Sequence, residues 1–459
     1  MDEDTISAVA TALGEGAIGI IRVSGAQALA IGEELFHAAS KKRLGLYAPN
    51  TLAYGYVIDS DGNCVDEVLA VYMRSPHTYT GEDVVEIQCH GGRAALEKIL
   101  SLTFKAGARL AEPGEFTKRA FLNGRIDLTQ AEAVMDIIRS RSEVSLKLAV
   151  RQQQGALARK VRSARARLLA LVAQLEAGID YPEDDIEEVT LGQVKEALGE
   201  ITDVFKAMLA TSRTGRLLRE GLRTAIVGRP NVGKSSLLNA LLKEERAIVS
   251  SYAGTTRDII EEQLLIGGVP IVIADTAGIR ATDDYVEKIG VVKSREFLAE
   301  ADLAICVIDA SNGATEEDEQ VLKAACRKPC IIAANKSDLG FREDLGALKE
   351  RFGALAVLKL SAKTGEGIDE LIKVLKDFVY GKGGQSTDGL YIQNARQEEL
   401  LRLAEASLEE ALRACSQALP YDCIVIDIRL ALAHLGEITG DTASDEILNE
   451  IFSRFCVGK

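Results

Sequence analysis

The 459-residue chain carries 54 Lys/Arg against 69 Asp/Glu, a net charge of −15, with 47% hydrophobic residues. That length allows about three domains, the charge speaks against a generally basic nucleic-acid protein, and no apolar run nears the roughly 20 residues of a membrane span. Eight cysteines without a CxxC pair and only four histidines favour a reduced, cytoplasmic protein over a disulfide scaffold or a zinc site, and Met1-Asp-Glu-Asp4 lacks the features of a signal peptide.

Residues 1 to about 118 read as a small α/β domain. Strands are predicted over Ala17–Val23, Leu52–Ile58, Glu67–Met73 and Asp83–Gln88, β-branched and aromatic runs bounded by turn residues. A helix is predicted over about Arg93–Lys105. Arg22 and Glu86 each interrupt an apolar strand, as charges on a solvated face or as functional groups. Between Pro113 and Pro182 no proline occurs for 68 residues, and apolar positions recur at 3–4 spacing (Leu128, Ala131, Val134, Met135, Ile138; Val161, Leu168, Leu171, Leu175), which predicts long amphipathic helices. From Arg139 to Arg167 nine Lys/Arg face one acid, Glu143: a solvated or partner-facing helix surface, or a contact for phosphates. The acidic turn Asp180–Asp185 follows, then a helical stretch to about Ser212.

The chain is organised around Gly228-Arg-Pro-Asn-Val-Gly-Lys-Ser235, between the apolar run Thr224–Val227 and Ser236–Leu242. Strand, glycine-rich turn and helix start, in that order, make a phosphate-binding loop: backbone N–H groups wrap the phosphates and the helix N-terminus adds its dipole. Lys234 is placed to reach the β/γ-phosphates and Ser235 to ligate Mg²⁺. Gly254-Thr-Thr-Arg-Asp258 supplies a second metal hydroxyl, Thr256. Asp275-Thr-Ala-Gly278 supplies an acid for the metal's water shell and an N–H for the γ-phosphate. Asn335-Lys-Ser-Asp338 follows another apolar run. Its Asp338 can accept from the guanine N1–H and N2 amino edge, which adenine does not offer, while Lys336 covers the base and Asn335 braces the loop. Ser361-Ala-Lys363 offers backbone N–H groups to the guanine O6. These stretches together imply a guanine-nucleotide GTPase. The candidate contacts are Asn231, Val232, Gly233, Lys234, Ser235 and Ser236; Ser250, Ser251, Tyr252, Ala253, Gly254, Thr255 and Thr256; Asp275, Thr276, Ala277 and Gly278; Asn335, Lys336, Ser337 and Asp338; and Ser361, Ala362 and Lys363. Past the flexible joint Gly381–Gly389, residues 391–459 are again helical. They complete one helical domain interrupted by the GTPase module, or form a separate tail domain.

The chain resembles the tRNA-modification GTPase family MnmE (TrmE) over nearly its whole length. The resemblance rests on Gly14–Gly25, Tyr79-Thr-Gly-Glu-Asp83, His90-Gly-Gly92, Pro113–Arg125, Gln130-Ala-Glu-Ala133, the GTPase motifs and the terminal Phe455-Cys-Val-Gly-Lys459. Ala12 departs from the family's usual proline. The resemblance implies a multidomain α/β plus α protein: a tetrahydrofolate-binding α/β domain (1–118), a helical domain in two parts (119–215 and 381–459) and an inserted Ras-like, mostly parallel P-loop GTPase domain (216–380). It implies folate contacts at Arg22, Glu86, Arg125 and Lys459, with 5,10-methylene- or 5-formyl-tetrahydrofolate as the ligand. Cys456 is a possible reactive thiol, or simply packs. The position that carries glutamine in Ras-like proteins is Ile279, which cannot orient water. The resemblance assigns instead a K⁺ ion held by Asn231, Ser250, Tyr252 and Thr255, with Glu287 orienting the water. It further implies tRNA, an FAD-containing partner (MnmG, GidA) in a heterotetramer, a homodimer with nucleotide-dependent GTPase-domain dimerisation, and modification at C5 of the wobble uridine. A ribosome-assembly or translation GTPase and a folate-sensing regulator are the competing readings.

Overall fold

The computed structural model describes residues 4–12, 14–140, 142–180, 190–244, 261–266, 268–274, 297–340, 342, 344–381 and 391–459. Ser250, Ser251, Tyr252, Ala253, Gly254, Thr255, Thr256, Asp275, Thr276, Ala277, Gly278 and Glu287 lie outside the described residues. The chain forms two compact units, one of Met1–Met135, Arg151–Leu198 and Ala406–Lys459, the other of Asp136–Val150 and Gly199–Glu405.

In the first unit the elements run β1 (Ile6–Val9), β2 (Gly16–Ser24), α1 (Ala28–Leu35), β3 (Phe36–Ala38), β4 (Ala53–Ile58), β5 (Cys64–Met73), β6 (Val84–Gly91), α2 (Arg93–Lys105), β7 (Arg109–Leu110) and α3 (Glu115–Leu122). The four predicted strands and the helix over Arg93–Lys105 are present. The short β1, β3 and β7 and the helix α1 were not predicted, being too brief for a periodic signal. The sheet order is β3-β4-β5-β6-β2-β1-β7. All pairings are antiparallel except the parallel β1–β7. Alternation decides its faces: Ile21, Val23, Val85 and Ile87 are buried with Ile31 of α1 and Ile99 of α2. Arg22 and Glu86 therefore point to the opposite face, and the register sets them directly across from each other.

The helices α4 (Leu128–Arg139), α5 (Glu143–Gln153), α6 (Ala156–Asp180), α7 (Leu191–Leu209) and α8 (Ser212–Glu220) follow. In the basic stretch, Arg162 pairs with Asp127 and Arg165 with Asp441, both at 3.3 Å, and Lys147 pairs with Glu143 at 2.6 Å. Part of that charge is thus neutralised within the chain.

The second unit holds β8 (Leu222–Val227), α9 (Lys234–Glu244), β9 (Glu261–Ile266), β10 (Val269–Ala274), β11 (Leu303–Asp309), α10 (Glu316–Ala325), β12 (Cys330–Asn335), α11 (Leu345–Phe352), β13 (Ala356–Lys359) and α12 (Ile368–Tyr380). Its sheet order is β13-β12-β11-β8-β10-β9, parallel except for the edge strand β9. Every residue of β11 and β12 is buried, as expected of central strands covered on both faces. The chain closes with α13 (Ala395–Ser416), α14 (Tyr421–Thr439) and α15 (Asp445–Ser453). In the first unit α14 packs against α6, burying Ile424, Ile428 and Leu435 with Val161, Leu168 and Leu175. Among the described residues no helix is long and apolar enough to cross a membrane.

Candidate functional site

The phosphate loop leaves the carboxyl end of β8 and enters α9, the place where open α/β sheets bind ligands. Two glycines are sterically required. A Cβ on Gly228 would lie 2.4 Å from the Val307 carbonyl oxygen, and one on Gly233 would lie 2.2 Å from Asn335 Nδ2. Asn231 takes a left-handed conformation, φ 61°, which asparagine tolerates better than most residues. Lys234 Nζ donates to the carbonyls of Gly228 (2.9 Å) and Arg229 (2.7 Å), and burial pushes its pKa down. The Arg229 side chain is held in turn by Asp318, whose carboxylate accepts from Arg229 Nε at 2.7 Å. Asp318 is itself buried and closes a capping box with Thr315 at the start of α10.

Asn335 ties three of the predicted stretches together. Its amide donates to the Val232 carbonyl (2.9 Å), and its oxygen accepts from the Ala362 N–H (2.9 Å). That N–H is one of the donors the sequence reading reserved for the guanine O6. Asp338 Oδ1 accepts from Ser361 Oγ at 2.6 Å. Lys336, at φ 62°, donates to Asp309 Oδ2 at 2.7 Å. Burial opposes the ionised form of Asp309, but the Lys336 and Ser311 hydrogen bonds prevail and hold its pKa below the usual carboxylate value. Ser337 Oγ donates to Glu366 at 3.2 Å. Gly233, Ser236, Asn335, Lys336, Asp338, Ala362 and Lys363 line one cavity of about 650 Å³. Val232 is buried, and Ser235 lies in the first turn of α9.

A second cluster lies in the other unit. Arg22 Nε donates to Glu86 Oε1 at 2.8 Å, with both side chains about one-sixth exposed. Arg22 Nη1 also donates to the carbonyl of Gly458 at 3.3 Å. The C-terminal segment reaches this face because Phe455 is buried with Phe452 and Leu128 and the Gly114 N–H donates to the Cys456 carbonyl at 3.3 Å. Gly458 has φ 93°, and a Cβ there would meet the Val9 carbonyl oxygen at 2.2 Å. Lys459 is half-buried, and burial and then the nearby Arg22 charge push its pKa down. Arg125 Nη1 donates to the Tyr79 carbonyl at 2.9 Å. The structure thus gathers Arg22, Glu86, Arg125 and Lys459 around one spot. The thiol-bearing Cys456 is exposed.

Below this spot Arg119, 8% exposed, pairs with Asp4 (2.7 Å), Glu115 (3.0 Å) and Glu82 (3.1 Å). Glu82 also accepts from Ser24 Oγ at 2.8 Å. Asp309, Asp318, Arg119 and the Gly458 carbonyl are not among the residues expected from the sequence. Only Asp318 had a local signal, the Thr-x-x-Asp spacing of a capping box.

A mostly parallel sheet with a phosphate loop after its central strand β8 and an Asn-Lys-x-Asp stretch at the end of β12 defines a P-loop GTPase module. The family description "MnmE helical domain" matches residues 128–456, and "GTP-binding protein TrmE N-terminus" matches residues 5–125. A tRNA modification GTPase MnmE from Clostridioides difficile is 46% identical over 457 residues, covering 100% of this chain and 99% of the relative. The one from Symbiobacterium thermophilum is 47% identical over 463 residues, covering 100% of both. Among solved structures, the G domain of the FeoB iron transporter of T. maritima is 29% identical over 34% of this chain and 98% of its own, with a TM-score of 0.27. Aquifex aeolicus Era bound to GDP and AlF4⁻ is 29% identical over 40% of this chain and 66% of its own, also with a TM-score of 0.27. The chain belongs to the tRNA modification GTPase MnmE family.

Proposed function

We propose that this GTPase modifies C5 of the wobble uridine of certain tRNAs, adding an aminomethyl-type group together with an FAD-containing partner, and that a tetrahydrofolate bound at the Arg22 cluster is its one-carbon donor. The observation that carries this reading is the cross-strand Arg22–Glu86 pair, met by the far end of the chain at Gly458 and Lys459. A carboxylate and a guanidinium side by side match the donors and acceptor of a pterin edge, so the residue types fit the ligand. The tetrahydrofolate supplies the one-carbon unit when bound. Arg22 and Glu86 orient the ring, and Arg125 and Lys459 supply further positive charge. The exposed Cys456 lies on the same segment as Lys459, and its thiol is the candidate for a reactive group there.

At the nucleotide site Asn335, Lys336 and Asp338 select guanine, and Lys234 neutralises the β/γ-phosphates. Ser235 and Thr256 are the residues that would hold Mg²⁺, and a serine hydroxyl at the start of α9 is a hard oxygen donor suited to it. Asn231, Ser250, Tyr252 and Thr255 would hold K⁺, whose charge serves where other GTPases use an arginine. Glu287 orients the attacking water. A second GTPase module would complete the K⁺ site, so dimerisation and hydrolysis rise together. The assembly is a cytoplasmic homodimer joined to its flavoprotein partner as a heterotetramer, with the chain divided at about 118, 215 and 380. Mass spectrometry of tRNA nucleosides from a deletion strain tests the reading. Loss of the C5-modified wobble uridine supports it, and unchanged nucleosides overturn it.

A further inference from the structure

The two guanidiniums of the second cluster come from distant positions, and like charges separate unless something holds them. Arg22 has Glu86 beside it, but among the described residues Arg125 has no carboxylate partner; its contacts are both to Tyr79. Arg125 Nη1 donates to the Tyr79 carbonyl at 2.9 Å, and its guanidinium carbon lies 5.1 Å from the centre of the Tyr79 ring. The guanidinium carbon of Arg22 lies 5.5 Å from the centre of the same ring and 5.6 Å from that of Phe116, so Tyr79 is the ring the two arginines share. These distances fall within the ~6 Å over which an aromatic quadrupole attracts a cation.

The ring is fixed from below. Tyr79 Oη and Thr117 Oγ1 are 2.9 Å apart, and Thr117 is fully buried on α3. The next residue, Thr80, is pinned twice: its carbonyl accepts from Asn123 Nδ2 at 2.8 Å, and its hydroxyl is bonded to the buried Ser24 hydroxyl at 2.7 Å. A ring with two charged neighbours, beside a backbone pinned at Thr80, has little freedom to turn even without its hydroxyl bond, so it can transmit a position. A residue that merely filled space beside Phe116 would not need the two cations.

We propose that Tyr79 is the positioning residue of the tetrahydrofolate site, its ring setting the separation and orientation of the Arg22 and Arg125 guanidiniums. This rests on the tetrahydrofolate reading above. A contact at the ring edge or the hydroxyl could be replaced by other groups, but the attraction for both cations belongs to the π face. The conservative Tyr79→Phe substitution therefore preserves the function, and Tyr79→Leu, which keeps apolar packing and the backbone carbonyl, removes it.

The test is calorimetric titration of the full chain with 5-formyl-tetrahydrofolate, together with NMR of the arginine Nε–H signals, assigned with Arg22→Lys and Arg125→Lys. Expected are wild-type-like affinity for Tyr79→Phe, within about twofold, and roughly tenfold weaker binding for Tyr79→Leu. The ring current should displace the Arg22 and Arg125 signals in wild type and in Tyr79→Phe. Equal affinity of Tyr79→Leu and wild type overturns the proposal. Should Tyr79→Leu unfold, the wild-type Arg125 signal decides, because Arg22 also lies 5.6 Å from the centre of the Phe116 ring: a displaced Arg125 signal supports the proposal, and an undisplaced one overturns it. Absence of binding by the wild type overturns the tetrahydrofolate reading instead, and the arginine signals still report whether the ring holds the pair.

Discussion

In the nucleotide module the described candidate groups come from short contiguous stretches at the carboxyl ends of parallel strands of one sheet, and Asn335 joins three of these stretches through its side chain. The cluster around Arg22 is built from β2, β6, the Tyr79 loop, the segment after α3 and the last two residues of the chain. Both regions rely on glycines with no room for a Cβ: Gly228 and Gly233 in the first, Gly458 in the second. They differ in what the glycine serves. In the phosphate loop the glycines let the backbone close against Val307 and Asn335 of the same module, whereas Gly458 lets a distant segment lie against β1 and offer a carbonyl to Arg22. A local motif therefore tolerates change elsewhere in the chain, and the assembled cluster depends on the docking of its tail.

The largest effect expected from this contrast is in the phosphate loop. GTP hydrolysis should be roughly 10³-fold faster in K⁺ than in Na⁺ at matched ionic strength, the low end of what an arginine contributes in other GTPases. Asn231→Ala should abolish the difference, and Glu287→Ala should block hydrolysis while sparing nucleotide binding. Equal wild-type rates in the two salts would show that the loop works without the ion.

Next comes the base. Asp338→Asn should weaken GTP binding on the order of 10²-fold and improve xanthine nucleotide binding, because two hydrogen bonds to a charged acceptor are lost. Filter binding with both nucleotides reads this out, and unchanged GTP affinity would remove Asp338 from the site.

A smaller effect separates the two regions most cleanly. Gly458→Ala puts a methyl group against the Val9 carbonyl at a left-handed φ, a cost of roughly 1–2 kcal/mol for the conformation alone. It should weaken 5-formyl-tetrahydrofolate binding about tenfold or more and leave the K⁺-stimulated GTPase rate unchanged. Loss of both activities together would mean that the tail does more than complete one site.

The smallest effect is at an exposed pair outside both clusters, and it sets a baseline. The Asp66 carboxylate accepts from His90 Nδ1 at 2.7 Å and raises the histidine pKa above its ordinary value of 6.5. The pair's contribution is fully present below the unfolded pKa of about 6.5 and is lost as pH rises through the elevated folded value. An NMR titration should place the His90 midpoint above that of Asp66→Asn, and identical midpoints would rule the pair out.

How much was legible in the sequence follows the same division. The phosphate loop, its flanking strand and helix, and the Asn335–Asp338 stretch were readable because each requirement sits within a few residues. The four longer strands of the first unit showed alternation, and β1, β3 and β7, of four residues or fewer, did not. Arg22 and Glu86 could be seen only as charges in apolar strands, since their pairing is a matter of register. Asp309 carried no local signal, because its partner Lys336 lies 27 residues away. The basic stretch after Arg139 read as one surface, but Arg162 and Arg165 are paired with acids from Asp127 and Asp441, which only the helix packing brings near.

The tetrahydrofolate site is tested most directly by calorimetric titration of the 459-residue chain with 5-formyl-tetrahydrofolate, comparing wild type with Arg22→Ala. Saturable binding by the wild type and none by the variant is the predicted result, because Arg22 touches Glu86, the Tyr79 ring and the C-terminal segment alike. Equal binding by the two proteins, or no binding by the wild type, would contradict it.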